Sequence, residues 1–239
     1  MDIIFINRKN NLDLPKNKFM LSYTEENYLK TIYQLESLSQ GKVNTNAISE
    51  KLTTTPATVT DMLQKLADKK LLNYQKYYGV NLTPLGKKRA INVIRKHRLW
   101  ELFLYEKLGF DWDEVHEIAE QLEHIQSEKL VQKLYTYLDN PKTDPHGDPI
   151  PDEKGNFPIL NTVQLSRIEI KKDAVIVGVN DHRPDFLQYL QKIGLNIGKR
   201  LSILSIVTFD QSMDILIDGR KNSIHISSEA AKNIMVNLI

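Results

Sequence analysis

The chain has 239 residues, of which 41% are hydrophobic and 26% charged, a balance typical of a globular protein with two or three small domains. It contains no cysteine, which excludes disulfides, zinc ribbons, iron–sulfur clusters and thiolate catalysis. The net charge of +2 does not by itself indicate a polyanionic partner, so any nucleic-acid surface must come from local placement of basic residues.

The N-terminal segment, residues 1–21, has no clear periodicity and is predicted to be a leader. It lacks the charged, apolar and small-residue order of a signal peptide. No run in the chain approaches the ~18 apolar residues of a membrane span. We therefore expect a cytoplasmic protein with no membrane partner.

From Thr24 the sequence becomes helical in pattern. Apolar side chains recur at three- and four-residue steps between Tyr28 and Leu38, with Thr24 predicted as the N-cap. Gly41 is predicted to end this helix. A second, shorter helix is expected at 45–52, which turns its apolar residues inward.

A third helix follows a threonine-rich turn. Thr55 is predicted as its N-cap and Pro56 as its first residue, and the helix runs to about Lys69. Its apolar residues repeat on one face, and the other face stays polar. Two helices joined by such a turn predict a helix-turn-helix, whose second helix is placed to enter a major groove.

Two strands at 71–76 and 80–83 come next, and they predict a wing that can reach phosphates. The alternative is a winged helix used for protein contacts. The candidate DNA-contacting residues of the third helix and the wing are Thr54, Thr55, Pro56, Ala57, Thr58, Thr60, Asp61, Gln64, Lys65, Lys76, Tyr77 and Tyr78.

Two stretches of the middle third carry histidines and carboxylates at helical spacing. His97 and Glu101 form the first pair. In the second stretch a rotation of ~100° per residue puts four such side chains on one face of one predicted helix. They are His116, Glu120, Glu123 and His124. Imidazole and carboxylate without thiolate suit a divalent ion such as Mn²⁺, Fe²⁺, Co²⁺, Ni²⁺ or Zn²⁺, although a solvated polar face has a similar pattern.

Helices from about 86 to 139 are expected to supply a dimer core. Its apolar candidates are Trp100, Phe103, Leu104, Leu130, Val131, Leu134 and Leu138. The segment at 140–161 is rich in Pro, Asp and Gly, and it predicts a turn followed by a linker.

After the linker the pattern alternates, which predicts a small SH3-like β-barrel. One helix is expected at about 184–193. The five predicted strands are 163–166, 174–177, 201–207, 213–217 and 223–226.

The order of these motifs resembles one family. A winged helix is followed by RKHRLWELFL at 95–104, VHEIAEQLEHIQSEKL at 115–130 and DPHGDPIP at 144–151. This order resembles the diphtheria-toxin-repressor family of metal-dependent transcriptional regulators. The later stretch FLQYLQKIGLNIGKRLSIL resembles the ferrous-iron-transport A-type domain that many of these regulators carry.

The resemblance implies two metal sites. A primary, activating site would use Glu120, Glu123 and His124 with a residue at Asn27. An ancillary site would use His97, Glu101 and His116. A carboxylate at the position of Glu120 is characteristic of manganese-responsive members, so Mn²⁺ is the first choice of metal and Fe²⁺ the second. Ligands from the C-terminal domain would come from Asp181, His182 or Asp185, for which a solvated turn is the alternative.

Two positions depart from the family pattern. Asn27 stands where a methionine or an aspartate is usual, so Glu26 is a further candidate ligand. In the family arrangement Asp144 and Asp148 would lie near Arg98, where some members have short neutral side chains that help to hold an anion. Asp144 and His146 could instead supply an additional metal site. The alternative is that the prolines and glycine of this segment build a rigid turn.

The predicted fold class is mainly α with α+β. The predicted domains are a leader at 1–21, a winged helix-turn-helix at 22–85, a helical metal-binding and dimerisation domain at 86–140, a turn and linker at 141–161 and an SH3-like domain at 162–239.

The resemblance implies a divalent-metal-dependent repressor of metal-uptake genes that binds double-stranded operator DNA as a homodimer. We expect Glu120 and Glu123 to repel one another without metal, which leaves the joint to the DNA-binding domain loose. One alternative is a metal-independent DNA-binding protein with a vestigial site. The other is a metallohydrolase, but the chain has no HExxH motif, so no enzyme activity is expected.

Overall fold

The computed structural model describes residues 20–38, 42–75 and 78–239. Most of the predicted leader, the predicted helix end at Gly41 and the candidate DNA contacts Lys76 and Tyr77 lie outside these residues.

The N-terminal domain is a three-helix unit with a two-stranded wing. Its elements are α1 (Tyr23–Leu38), α2 (Thr45–Lys51), α3 (Pro56–Asp68), β1 (Leu72–Gln75) and β2 (Gly79–Leu82). The two strands pair antiparallel, with Leu72 opposite Leu82. Tyr28, Leu29 and Ile32 of α1 pack with Val59 and Leu63 of α3 in one buried core. This packing fixes α3 on the helices behind it and leaves its polar face outward.

The caps of these helices follow local side-chain chemistry. Thr55 caps α3 by accepting a hydrogen bond from the Thr58 backbone N–H at 3.2 Å, which confirms the predicted cap. The predicted cap at Thr24 is wrong, because α1 begins one residue earlier. Ser22 and Glu25 instead exchange reciprocal bonds, in which the Ser22 N–H donates to Glu25 at 2.9 Å and the Glu25 N–H donates to the Ser22 hydroxyl.

The helical domain is built on one long helix. Its elements are α4 (Pro84–Leu108), α5 (Val115–Leu122) and α6 (Glu128–Tyr137). Leu99 and Leu102 of α4 share a core with Val115 of α5 and Leu134 of α6. Because α5 ends at Leu122, Glu123 and His124 lie in the turn after it. The expectation of four ligands on one helix face is therefore wrong for the last two of them.

The C-terminal domain is an antiparallel sheet of six strands in the order β3-β8-β4-β5-β6-β7, packed around its own core. Its elements are β3 (Val163–Gln164), β4 (Asp173–Val179), α7 (Pro184–Ile193), β5 (Arg200–Ile206), β6 (Met213–Ile217), β7 (Ile224–Ile226), α8 (Ser228–Asn233) and β8 (Ile234–Leu238). The predicted helix is confirmed, but the prediction of five strands is wrong, because the last residues of the chain form β8 between β3 and β4.

The segment between the last two domains is packed rather than loose over its first half. Asp144, His146 and Ile150 are buried, and Thr143 bridges to Pro149. The His146 carbonyl oxygen accepts a hydrogen bond from the Val179 N–H of β4 at 2.9 Å. From the α4–α5 connection, Trp112 enters the core of the C-terminal sheet. The turn is thus part of the interface between the helical and C-terminal domains.

These elements confirm the predicted fold class, with a winged helix, a helical domain and an SH3-like sheet domain. Within the described residues, no helix has both the length and the hydropathy needed to cross a membrane.

Candidate metal centre

The metal-capable side chains converge from four parts of the chain. Helix α4 carries His97 and Glu101, and α5 with the turn after it carries the second predicted group. The turn at 144–148 adds Asp144 and His146, and α1 approaches from the N-terminal domain. Among the residues that the structure describes, three compact groups of potential ligands result, and Glu101 belongs to two of them.

The first group is the predicted ancillary set, which the structure brings together. His97 Nε2 lies 3.0 Å and His116 Nδ1 lies 3.2 Å from Glu101 Oε1. The two imidazoles are 3.2 Å apart at their facing nitrogens. Burial opposes the charged form of His97, but the Glu101 carboxylate outweighs it and raises the pKa of His97 to about 9. The same histidines hold the pKa of the Glu101 carboxyl, despite its burial, well below its ordinary value.

The second group contains two of the predicted primary ligands, Glu120 and Glu123, together with His97. His97 Nδ1 lies 2.6 Å from Glu123 Oε2, and Glu123 is fully buried. Between the two carboxylates stands the ammonium of Lys30, from α1. The expectation that Glu120 and Glu123 repel one another without metal is therefore wrong, because a cation of the chain already lies between them.

The remaining primary candidates are placed separately. His124 Nδ1 lies 2.6 Å from Glu26 Oε2, and Gln126 also donates to Glu26 at 2.8 Å. His124 Nε2 is 3.4 Å from Glu123 Oε1, so this imidazole lies between the two acidic residues. Asn27 Oδ1 is buried without a hydrogen-bond partner. Both candidates from α1 thus lie in the interior, but Glu26 is the one in contact with His124.

The third group consists of Glu101, Asp144 and His146, all three buried. His146 Nε2 lies 2.7 Å from the Trp112 carbonyl oxygen, which assigns the proton to Nε2 and leaves the Nδ1 lone pair free. That Nδ1 and Asp144 Oδ2 are buried with no hydrogen-bond partner, and Nδ1 lies 3.9 Å from Glu101 Oε2. A ligand histidine oriented by a backbone carbonyl is the usual arrangement around protein metals.

The electrostatics of this third group favour a cation. Burial and the nearby Glu101 and Asp148 carboxylates raise the pKa of the Asp144 carboxyl well above its ordinary value. Burial lowers the pKa of His146, which keeps its imidazole neutral and able to coordinate. Two carboxylates and an imidazole with unused lone pairs fit a divalent ion of the manganese or iron type.

The turn that carries Asp144 is closed by hydrogen bonds, as the rigid-turn alternative expects, and metal binding by Asp144 and His146 stays a prediction. Asp144 Oδ1 accepts hydrogen bonds from the backbone N–H groups of His146 and Asp148, at 2.8 and 3.0 Å. Arg98 Nη2 donates to Asp148 at 2.8 Å, and Nη1 donates to the Pro149 carbonyl oxygen. Arg98 Nε also lies 3.7 Å from Asp144 Oδ2, so the guanidinium is paired with both carboxylates of the turn.

The C-terminal domain reaches this group through His182. Its ring stacks on that of His146 with a centroid separation of 4.7 Å. Asp181 is instead paired with Arg183 at 2.7 Å, and Asp185 lies in the first turn of α7. Of the three candidates in this turn, His182 is the one in contact with the third group.

The candidate DNA-contacting residues form an outward face. Thr55, Pro56, Ala57, Thr58, Asp61, Gln64, Lys65 and Tyr78 are exposed, and Thr54 and Thr60 are half-buried. Helix α3 buries Val59, Leu63 and Leu66 on its other side. Lys65 and Lys69 lie 3.1 and 2.7 Å from the buried Glu25 carboxylate of α1. These ion pairs tie the exposed helix to α1.

Sequence reasoning missed Lys30. Its position on α1 gave a signal, because it lies one helical turn after Glu26 and Asn27 and therefore on the same face. Its partners, Glu120 and Glu123, are more than 85 residues further along the chain.

Comparison with known proteins identifies the family. Three family models match in series. "Iron dependent repressor, N-terminal DNA binding domain" matches residues 20–80, "Iron dependent repressor, metal binding and dimerisation domain" matches 83–152, and the FeoA domain matches 163–238. The diphtheria toxin repressor of Corynebacterium glutamicum is 30% identical over 222 residues, which cover 85% of this chain and 95% of that protein. The chain belongs to the diphtheria toxin repressor family.

Other members of the diphtheria toxin repressor family match over different lengths. The iron-dependent repressor IdeR of Mycobacterium leprae is 40% identical over 129 residues, which are 54% of this chain and 55% of that relative, so the match spans about half of its length. A solved structure described as a manganese-dependent transcriptional repressor in complex with manganese superposes with a TM-score of 0.77. It is 33% identical in sequence and covers 90% of this chain and 100% of its own. Iron- and manganese-responsive relatives thus both resemble this member of the diphtheria toxin repressor family.

Proposed function

We propose that this protein is a divalent-metal-dependent transcriptional repressor that binds operator DNA as a homodimer and controls metal-uptake genes in the cytoplasm. The observation that carries the proposal is the buried group of Glu101, Asp144 and His146. Asp144 Oδ2 and His146 Nδ1 are buried without a hydrogen-bond partner, which would be costly in a structure that never binds a cation there.

The ligand chemistry favours Mn²⁺ first and Fe²⁺ second. The residues that would hold the metal are Glu101, Asp144 and His146 in one group, and His97, His116, Glu120, Glu123, His124, Glu26 and Asn27 in the neighbouring ones. Oxygen and imidazole donors predominate, and the chain contains no cysteine. A bound ion would supply positive charge to carboxylates that, in the metal-free protein, are neutralised by protons or by side-chain cations.

A chain of contacts connects these groups to α3, the helix proposed to contact DNA. On one side, Glu26 and Lys30 of α1 contact His124 and Glu123. On the other side of α1, Glu25 pairs with Lys65 and Lys69 in and beside α3. A shift of α1 relative to α5 therefore moves the helix whose polar face is proposed to enter the major groove.

An apolar surface supports the homodimer. Trp100, Phe103, Leu130, Leu134 and Tyr137 line an open concave surface on α4 and α6. Leu130 and Tyr137 are exposed. The other predicted dimer residues, Leu104, Val131 and Leu138, are buried in the core of the protomer, so they support this surface from beneath. Pairing of two such surfaces would set the two α3 helices at a fixed spacing.

One observation favours the metal-independent alternative: Lys30 already supplies a cation between Glu120 and Glu123. Under that alternative, the contact between α1 and the helical domain would be closed permanently without any ion.

A binding titration decides between the two. The full chain is stripped of metal, and a binding site is selected from random double-stranded DNA in the presence of Mn²⁺. Affinity for that DNA is then measured by fluorescence anisotropy at fixed salt with chelator, Mn²⁺, anaerobic Fe²⁺ or Zn²⁺. We expect tighter binding with Mn²⁺, at a lower free concentration than with Fe²⁺. Equal affinity with chelator and with every ion would refute the metal-dependent function.

A further inference from the structure

The ammonium of Lys30 occupies the space between two predicted metal ligands. Lys30 Nζ donates to Glu120 Oε1 at 2.9 Å and to both carboxylate oxygens of Glu123, at 2.7 and 2.9 Å. An ammonium has three donors, and these three contacts use them all. The Lys30 side chain is 9% exposed and that of Glu123 is 0% exposed, so the arrangement is internal.

The surroundings keep this lysine charged. Burial disfavours the ammonium, but the Glu123 and Glu120 carboxylates outweigh burial and raise the pKa of Lys30. Its charge in turn lowers the pKa of Glu120 against the effect of burial. Lys30 and the two carboxylates therefore form a charge-paired cluster that is buried at Lys30 and Glu123 and half-buried at Glu120, with His97 at 2.6 Å from Glu123.

The cluster also joins two domains. Lys30 belongs to α1 of the winged helix, whereas Glu120 and Glu123 belong to α5 and the turn after it. An ion bound by both carboxylates would stand within contact distance of the ammonium. Two cations at that separation repel strongly in a buried setting, so the ion and the ammonium exclude one another.

We propose that Lys30 is a tethered competitor of the metal ion for Glu120 and Glu123, which closes this joint in the metal-free protein and must withdraw before an ion binds both carboxylates. The inference rests on the proposed function, because it takes these two residues as ligands. It assigns Lys30 the role of setting the metal concentration at which this site fills.

The test measures Mn²⁺ binding without DNA, by isothermal titration calorimetry and by electron paramagnetic resonance of free Mn²⁺, on the metal-stripped full chain at one pH and salt concentration. In Lys30→Met the competitor is absent, and we expect at least about tenfold tighter binding at one site. Lys30→Arg keeps the charge and is expected to stay close to wild type. Adding Glu123→Gln to Lys30→Met should abolish the gain, which would assign it to this site.

Lys69→Met is the matched control. It removes one positive charge from a lysine that, like Lys30, forms an ion pair with a carboxylate of another element, here Glu25 of α1 at 2.7 Å. It leaves Glu120 and Glu123 with their contacts and should not change Mn²⁺ affinity. If Lys30→Met does not fold without metal, Lys30→Gln keeps a donor at this position and replaces it in the same titration.

Two outcomes would overturn the proposal. Unchanged Mn²⁺ affinity in the neutral Lys30 variants would show that the ammonium does not compete with the ion. Weaker affinity would show that Lys30 supports the site. Both outcomes are measured without DNA. The Lys30 proposal can therefore hold even if Mn²⁺ does not change the affinity for DNA, and it can be refuted even if Mn²⁺ does.

Discussion

The ion pairs of Glu25 hold α1 against the exposed helix α3, and their removal has a calculable cost. Glu25 is 1% exposed and accepts hydrogen bonds from Lys69 and from the Ser22 backbone N–H. Burial opposes its charged form, but these partners and Lys65 outweigh burial and lower the pKa of Glu25 from 4.5 to about 2. Glu25→Gln keeps the shape of the side chain and removes the charge.

The magnitude follows from the pKa and the exposure of the partners. The difference between 4.5 and about 2, at ~1.36 kcal/mol per pKa unit, corresponds to about 3 kcal/mol. Solvent screens the partners, since the side chains of Lys65 and Lys69 are 55% and 39% exposed. We therefore expect Glu25→Gln to lower the free energy of unfolding by about 1–2 kcal/mol at pH 7.

The pH dependence has a defined sign. The pKa of Glu25 is lower in the folded protein than in the unfolded chain, so the stabilisation is complete above about pH 4.5 and is lost as the pH falls towards 2. Urea unfolding of the metal-free wild type and variant, followed by circular dichroism at pH 7 and pH 3.5, measures the difference. Glu50→Gln, an exposed position on α2, is the control. Equal stability of wild type and Glu25→Gln at pH 7, or a difference that does not narrow in acid, would refute the reasoning.

Three further predictions concern the metal groups and the turn beside them. Glu101 raises the pKa of His97 to about 9 against the effect of burial, so an ion that binds His97 displaces a proton. Mn²⁺ affinity should therefore rise about tenfold per pH unit from pH 7 towards 9. Calorimetry in buffers of different ionisation enthalpy measures the released proton, and a pH-independent affinity would contradict the prediction. Glu101→Gln, which alters two groups at once, should weaken Mn²⁺ binding by at least about tenfold in equilibrium dialysis, whereas Glu106→Gln on the same helix should not. Gly147→Ala should lower the free energy of unfolding by ~2–4 kcal/mol, because φ is +89° and the new Cβ would stand 2.2 Å from a main-chain oxygen. The control Gly109→Ala, at φ +74° with open space around it, should lower it by only ~1 kcal/mol. Similar urea midpoints for the two variants would contradict the steric argument.

Local signals in the sequence were sufficient for most helix boundaries. Thr55 and Pro56 marked the start of α3 because a cap and a proline act within four residues. The same reasoning failed at Thr24, since Ser22, two residues earlier, forms a reciprocal pair of hydrogen bonds with Glu25. In each case the decisive interaction was short in sequence, and only the choice between neighbouring candidates differed.

The missed strand β8 has a different cause. Within β8 only Ile234 and Val236 are buried, so the alternation is short, and the strand depends on pairing with β4, more than 50 residues earlier. A short apolar segment at the end of a chain does not reveal such a partner by itself.

The metal groups combine both kinds of information. His97 and Glu101 are neighbours on α4, and helical spacing was sufficient to predict that they meet. The approach of Asp144 and His146 to Glu101 depends on how the turn packs against α4, and the approach of Lys30 depends on how two domains dock. Spacing along the chain carries no information about either. The assignment of ligands to a primary and an ancillary site therefore stays a prediction.

The turn at 144–148 also has a mechanical consequence. Gly147 approaches Val177 and Gly178 so closely that it has no room for a Cβ, a Cβ at Gly178 would be tightly packed, and the Val179 N–H is bonded to the His146 carbonyl oxygen. The turn is therefore anchored to the C-terminal sheet by a hydrogen bond and by close backbone packing. The positions of Asp144 and His146 opposite Glu101 consequently depend on how the C-terminal domain packs against the helical domain.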